Sequence, residues 1–161
     1  MTLSSAPSTG HATDLIELLR QVFDPEYPGV SIVDLGLVQT ARVQPGPDGP
    51  EAQVGLIPTF SGCPALAMIK DDVESTVTRL SGMPCVVTWL PTPVWDSSRL
   101  TAHGRAQLAS EFTVVLRNRD GSLRCPVCGS NDVADQSMAG PTRCRSIAWC
   151  DDCRNAVEVL R

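Results

Sequence analysis

Leu15, Leu18, Leu19 and Val22 recur at the i, i+3, i+4, i+7 spacing of one helix face and predict a first helix over His11–Phe23. Thr13 or Asp14 is its expected cap, and Glu17 adds negative charge to its first turn. "DPEYPG" (24–29) stops it, because two prolines and a glycine cannot continue a helix. "LVQTARV" (37–43) and "EAQVGLI" (51–57) show period-2 patterning and flank the turn residues "QPGPDGP" (44–50), which predicts a hairpin. Leu66, Ile69, Val73, Val77 and Leu80 trace one face of a second helix, with Asp71, Asp72, Glu74 and Arg79 mostly on its wet side. "PCVVTWL" (84–90) is β-branched and apolar and reads as a central strand. Ser97–Phe112 is expected to form a third helix capped by Ser97 or Ser98, with Gly104 weakening it.

The order α-β-β-α-β-α predicts a small α+β sandwich, helices on one face of a three-stranded sheet. Residues 1–10 are expected to be a flexible tail, 11–112 a domain, 113–124 a linker and 125–161 a cysteine-built module. A length of 161 residues suits that division, since one domain of about 100 residues plus a small module fits it.

Composition narrows the core and the partners. Aromatic residues are only 4%, so the core must be aliphatic. Residues 1–112 hold 12 Asp/Glu against 6 Lys/Arg, a balance of −6, and residues 113–161 hold 6 against 7, a balance of +1. Nucleic acid is therefore not an expected partner. No apolar run approaches the ~20 residues of a membrane span, and Met1–Gly10 lacks the basic start and apolar middle of a signal peptide. A cytoplasmic location is expected. Seven cysteines in a reducing compartment then argue for metal or thiol chemistry rather than cross-links.

Cys125-Pro126-Val127-Cys128 and Cys150-Asp151-Asp152-Cys153 are two C-x-x-C knuckles. Each offers two sulfurs on one side of a tight turn, and two such knuckles supply the S₄ set of structural zinc. Iron in a rubredoxin-like site uses the same ligands. About 37 residues with few apolar groups need such a staple to fold. Cys144, between Arg143 and Arg145, has three readings: a substitute knuckle ligand, a thiol activated by the two guanidinium groups, or a spectator.

Cys63 stands alone in "PTFSGCPALAMI" (58–69). Pro64 favours the first helical position, which puts Cys63 at the N-cap of the second helix, where free N–H groups and the helix dipole would stabilise a thiolate. Local physics leaves this open against the ordinary burial of cysteine as a small apolar residue. Cys85 reads as core. His11 and His103 read as exposed. Asp34, an acid among apolar residues, is a turn-capping carboxylate or a site residue, with capping preferred. Phosphate-loop, nucleophile-elbow and paired-carboxylate patterns do not occur, so catalysis by the isolated chain is not expected.

"DPEYP" (24–28), "SIVDLGLV" (31–38), "SGCPA" (61–65) and "PTPVWDSSRLTAHGRAQL" (91–108) together resemble the iron–sulfur assembly domain of SufT-type maturation factors and eukaryotic cytosolic targeting proteins. "CPVCGS", "GPTRCR" and "WCDDC" in the tail are similar to the C-terminal part of the PaaD family, whose members are encoded with the phenylacetyl-CoA epoxidase system. The resemblance covers residues 13–158. It implies a non-catalytic accessory protein that helps cluster or iron-centre maturation in a ring 1,2-epoxidase, or a permanent structural subunit of such an oxygenase. It implies Cys63 as the functional thiol with Asp34 as its neighbour, zinc on Cys125, Cys128, Cys150 and Cys153, and added weight for Cys144. Transient iron or a cluster, an oxygenase or reductase client, and a homodimer are the expected cargo and partners.

Overall fold

The structure, a computed structural model, describes residues 9–112, 114–118 and 120–160, with side chains from residue 14 onward. Residues 1–8 of the expected tail and the side chain of His11 lie outside the described residues. The first helix, α1 (Thr9–Leu19), starts before the expected cap, so Thr13 and Asp14 lie inside it. It also stops earlier than expected. Gln21 and Val22 donate to the carbonyls of Leu18 and Leu19, i→i−3 bonds that tighten the chain into a turn. Phe23 then bridges to Ser31 in extended form.

Strands β1 (Val38–Gly46) and β2 (Gly49–Leu56) form an antiparallel hairpin. The expected seven-residue turn shrinks to Pro47-Asp48, because pairing runs out to Gly46 and Gly49. Gly49 takes φ 129°, which closes so tight a loop. Helix α2 (Leu66–Ser81) crosses over to β3 (Cys85–Trp89), which pairs parallel to β2. The sheet order is β1-β2-β3, so β3 is an edge strand and not the central one that its apolar run predicted. Only Val87 of β3 is buried, and Val86 is 43% exposed.

Helices α1 and α2 pack on the sheet and on each other. Leu15 and Leu19 from α1, Ile69, Val73 and Val77 from α2, and Ala52, Val54 and Leu56 from β2 form an aliphatic core. Leu80 was expected on that face but is exposed, in the last turn of α2. The expected third helix divides in two. Asp96 caps a short 3₁₀ turn (Ser97–Arg99), Leu100 is extended, and Thr101 caps α3 (Ala102–Glu111) by accepting from the Gly104 N–H. Neither Ser97 nor Ser98 is a helix cap.

The expected linker contains a strand, β4 (Val114–Leu116). It pairs parallel to β7 (Asn155–Leu160) in a second sheet of order β4-β7-β6-β5, completed by β5 (Val133–Ser137) and β6 (Arg145–Cys150). Among the described residues, no helix is long and apolar enough to cross a membrane.

Candidate functional sites: a four-sulfur cluster and a cleft between two modules

The two knuckles fold alike. Gly129 N–H donates to the Cys125 carbonyl and Arg154 N–H to the Cys150 carbonyl, each at 2.9 Å. Four residues past the first cysteine of each knuckle the chain turns left-handed, with φ 78° at Gly129 and 56° at Arg154. The strands β6 and β7 carry the second knuckle to the first, and the hydroxyl of Ser130 donates to Asp152 across the pair. All four sulfurs lie within 4.8 Å of one another. Cys125 and Cys153 are 3.6 Å apart, as are Cys128 and Cys150. A tetrahedron with metal–sulfur bonds of about 2.3 Å has edges of about 3.8 Å, so the donor set fits one zinc-sized ion. Burial opposes ionisation of Cys125, but N–H groups of Cys128 and Val127 and the neighbouring thiols outweigh it and bring its pKa down to about 7. The cluster can hold a metal, as the spacing predicts.

Cys144 is not part of that cluster. It is 6% exposed and joins the core of the first module. Its thiol donates to Glu26 Oε2 at 3.2 Å and lies 3.1 Å from the Thr142 hydroxyl. Arg145 lowers its pKa, as a flanking arginine should, but other effects outweigh it. Burial and the Glu26 carboxylate push its pKa up to about 11, against smaller opposing effects of Thr142 and Arg145.

Cys63 does not cap α2. Leu66 N–H donates to the Cys63 carbonyl at 3.3 Å, an i→i+3 turn, and the first α-type bond runs from Ile69 to Ala65. Ala65 therefore occupies the cap position, without a side-chain bond. Cys63 is half-buried one turn earlier. Burial raises its pKa, the Ala65 N–H lowers it, and the charges of Glu26 and Asp24 raise it further. The net shift is therefore upward, opposite to the one a helix N-terminus would give. Cys85 is half-buried at the edge strand, and burial with Glu74 and Glu51 lifts it to about 11.

Asp34 is buried and fully engaged. It accepts from the Ser31 and Thr101 hydroxyls, both at 2.6 Å, and from Arg20 at 3.2 Å. Burial would raise its pKa, but these bonds, with the charges of Arg20 and His103, hold it below the usual carboxylate range. The turn's backbone is held by Ser31 Oγ, which accepts from the Asp34 N–H at 3.0 Å, while the Asp34 carboxylate bonds only to side chains. The charges that reach Cys63 are those of Glu26 and Asp24 rather than Asp34.

A cleft of about 630 Å³ opens where the modules meet. Phe60 and Pro64, on either side of Cys63, line one wall, and Met138–Arg143 with Arg145 line the other. Glu26 stands between them. Tyr27 anchors the junction: it accepts from Arg145 Nε at 2.9 Å, its ring lies 4.6 Å below that guanidinium, and Phe112 meets it edge-on at 5.3 Å. Arg145 also pairs with Glu158. Sequence reading treated "DPEYPG" as a helix stop and missed Glu26 and Tyr27 as junction residues. Their partners lie 118 residues away, beyond any local pattern.

Comparison with known proteins finds two family matches along the chain. Residues 12–87 match the iron–sulfur cluster assembly protein family, and residues 109–161 match the PaaD zinc beta ribbon domain. A protein of Escherichia coli (strain K12), provisionally named as a subunit of 1,2-phenylacetyl-CoA epoxidase, is 28% identical over 97% of this chain and 94% of its own length. The Fe-S protein maturation auxiliary factor of Porphyromonas gingivalis is 33% identical over 59% of this chain and 88% of its own. The crystal structure of a DUF59 domain of unknown function from Bacillus anthracis superposes with TM-score 0.55 at 27% identity, covering 63% of this chain and 93% of that one.

Proposed function

The chain belongs to the PaaD family, an iron–sulfur cluster assembly domain followed by a zinc ribbon, and from that membership we propose that it is a non-catalytic accessory protein in cluster or iron-centre maturation of a phenylacetyl-CoA epoxidase system. Cys63 is the working thiol. The observation that carries this reading is its position: its neighbours Phe60 and Pro64 line the cleft that the assembly domain and the ribbon build together. One protein sulfur is too few to hold a cluster. A client protein supplies the remaining ligands, and the cluster or iron is cargo in transit.

Zinc is the metal of the ribbon, held by Cys125, Cys128, Cys150 and Cys153. It would fix the two knuckles and hence the second wall of the cleft. The four sulfurs are already gathered, and the ion contributes folding energy rather than chemistry there.

In cells expressing the client oxygenase and its reductase, Cys63→Ser is expected to keep about one zinc per chain and an unchanged melting temperature. The iron and sulfide content of the client should fall severalfold. Client protein with full iron content in the Cys63→Ser background would sink the proposal. A second reading, a permanent structural subunit, is favoured by the name of the Escherichia coli relative, which is called a subunit. Co-purification with the oxygenase at fixed stoichiometry through size exclusion would select it over transient maturation.

A further inference from the structure

The two knuckles are joined by more than their sulfurs. Among the described residues, one side-chain hydrogen bond without sulfur crosses from the turn of the first knuckle to the second: the Ser130 hydroxyl donates to the Asp152 carboxylate. Ser130 lies two residues past Cys128, and Asp152 directly precedes Cys153. The Ser130 hydroxyl works in both directions. Its oxygen accepts from the Asp132 N–H at 2.9 Å while its proton goes to Asp152.

The backbone of the same segment touches both knuckles. The Ser130 carbonyl accepts from the Cys125 N–H at 2.8 Å, and the Asp132 carbonyl accepts from the Asp151 N–H at 3.1 Å. Pairing of β5 with β6 ends at Val133 and Cys150, so it places the second knuckle against residue 133 and stops short of the first. Residues 129–132 carry the alignment the rest of the way. Exposure is also uneven across the cluster. Cys125 and Cys150 are buried, Cys153 is half-buried and Cys128 is exposed. A competing ligand therefore reaches a bound ion from the side of Cys128 and Cys153, the two sulfurs that Ser130 and Asp152 adjoin in the chain.

We infer that Ser130 and Asp152 are positioning residues of the ribbon site: their bond holds the two accessible sulfurs in register and governs how tightly, and for how long, the ribbon keeps its ion. Neither residue is among the four donors. The inference rests on the reading of the four cysteines as a zinc site and is independent of any role of Cys63.

Charge alone predicts the opposite outcome. Four thiolates on one Zn²⁺ leave the site net negative, so a nearby carboxylate disfavours the loaded form. If Asp152 acted only through its charge, removing it would tighten zinc binding. If it positions the second knuckle, removing it weakens binding.

The test uses the full chain loaded with zinc and a competing chelator of known zinc affinity at neutral pH. Asp152→Ala and Ser130→Ala are each expected to weaken zinc binding about tenfold and to speed its release by a similar factor. The double variant should be little worse than either single one, because both remove the same bond. Asp152→Asn keeps an oxygen acceptor and should recover most of the loss. Asp151→Ala removes an equal charge outside the clamp and is expected to leave affinity unchanged or slightly higher. A wild-type amide spectrum of the zinc-saturated protein establishes that each variant is folded. If Ser130→Ala fails that control, Asp152→Ala set against Asp151→Ala carries the test.

Unchanged or tighter binding in Asp152→Ala, an equal loss in Asp151→Ala, or fully additive losses in the double variant overturns the positioning role. The two readings fail separately. A wild-type chain that takes up no zinc removes the ribbon reading and this inference with it. Zinc held by the four cysteines but indifferent to Asp152 removes this inference alone.

Discussion

Asp34 shows how one buried charge can organise two segments of chain. Its carboxylate accepts from the Thr101 hydroxyl, whose own oxygen accepts from the Gly104 N–H. The carboxylate thereby orients the cap of α3 from 67 residues away. Removing it leaves the buried Ser31 hydroxyl, the half-buried Thr101 hydroxyl and Arg20 without their acceptor, so Asp34→Ala is expected to cost about 3 kcal/mol in chemical denaturation. The sign of its pH dependence follows from a depressed pKa. The stabilisation is full above the unfolded value of about 4 and fades as pH falls through the lower folded value. The stability gap between wild type and Asp34→Asn should therefore narrow on acidification below pH ~4. At this scale sequence is a good guide only where partners are local. The ribbon ligands are legible because each pair lies three residues apart in a tight turn. Cys144, flanked by arginines, invited an activated-thiol reading, but burial and Glu26, a partner 118 residues away, shift its pKa the other way.

Between residue and molecule, the elements were legible where a period repeats and obscure where caps interrupt it. Helix α2 shows three buried turns, Ile69, Val73 and Val77, as its spacing predicts. The segment from Ser97 to Phe112 has no comparable period, and two capping residues, Asp96 and Thr101, break it into a 3₁₀ turn and α3. Strand β3 reads as central by composition, but composition does not encode which neighbour an edge lacks. Gly104 was read as a weakness of the third helix, yet it is what lets α3 approach the chain at Asp34. A Cβ there would lie 2.6 Å from the Asp34 carbonyl oxygen, a backbone atom that cannot move aside cheaply. Gly→Ala in an exposed helix gains about 1 kcal/mol, so the sign of Gly104→Ala discriminates. It is expected to lower stability by about 2 kcal/mol, measured by urea unfolding, because overpacking exceeds the propensity gain.

For the whole molecule, the two modules share a wall. In β4, Val114 joins the core of the first module and Val115 that of the ribbon; in β7, Leu160 joins the first and Val159 the second. Alternate side chains of one parallel pair thus seal both cores, by the period of two in a strand. The linker read from sequence could not reveal this, since three residues carry no period. Because the cores are joined, loss of the ribbon metal should be felt beyond its ligands. Chelation is expected to raise the alkylation rate of Cys144, which is no ligand of the cluster, at least tenfold as β6 and β7 loosen. Mass spectrometry of each cysteine after timed exposure to a thiol reagent measures it, with Cys63 as the internal reference.

The parallel pairing of β4 with β7 also sets an order of events at the ribosome. Val114 meets Glu158 across 43 residues of intervening chain. The first module's helices and hairpin can assemble early, but its core keeps an open seam at Val114 until β7 has been synthesised and the knuckles have closed. A nascent chain therefore exposes that seam for as long as the ribbon takes to emerge and capture its ion. If the proposed ribbon ion closes the knuckles, its supply during translation sets how long the unfinished assembly domain is open to aggregation or proteolysis.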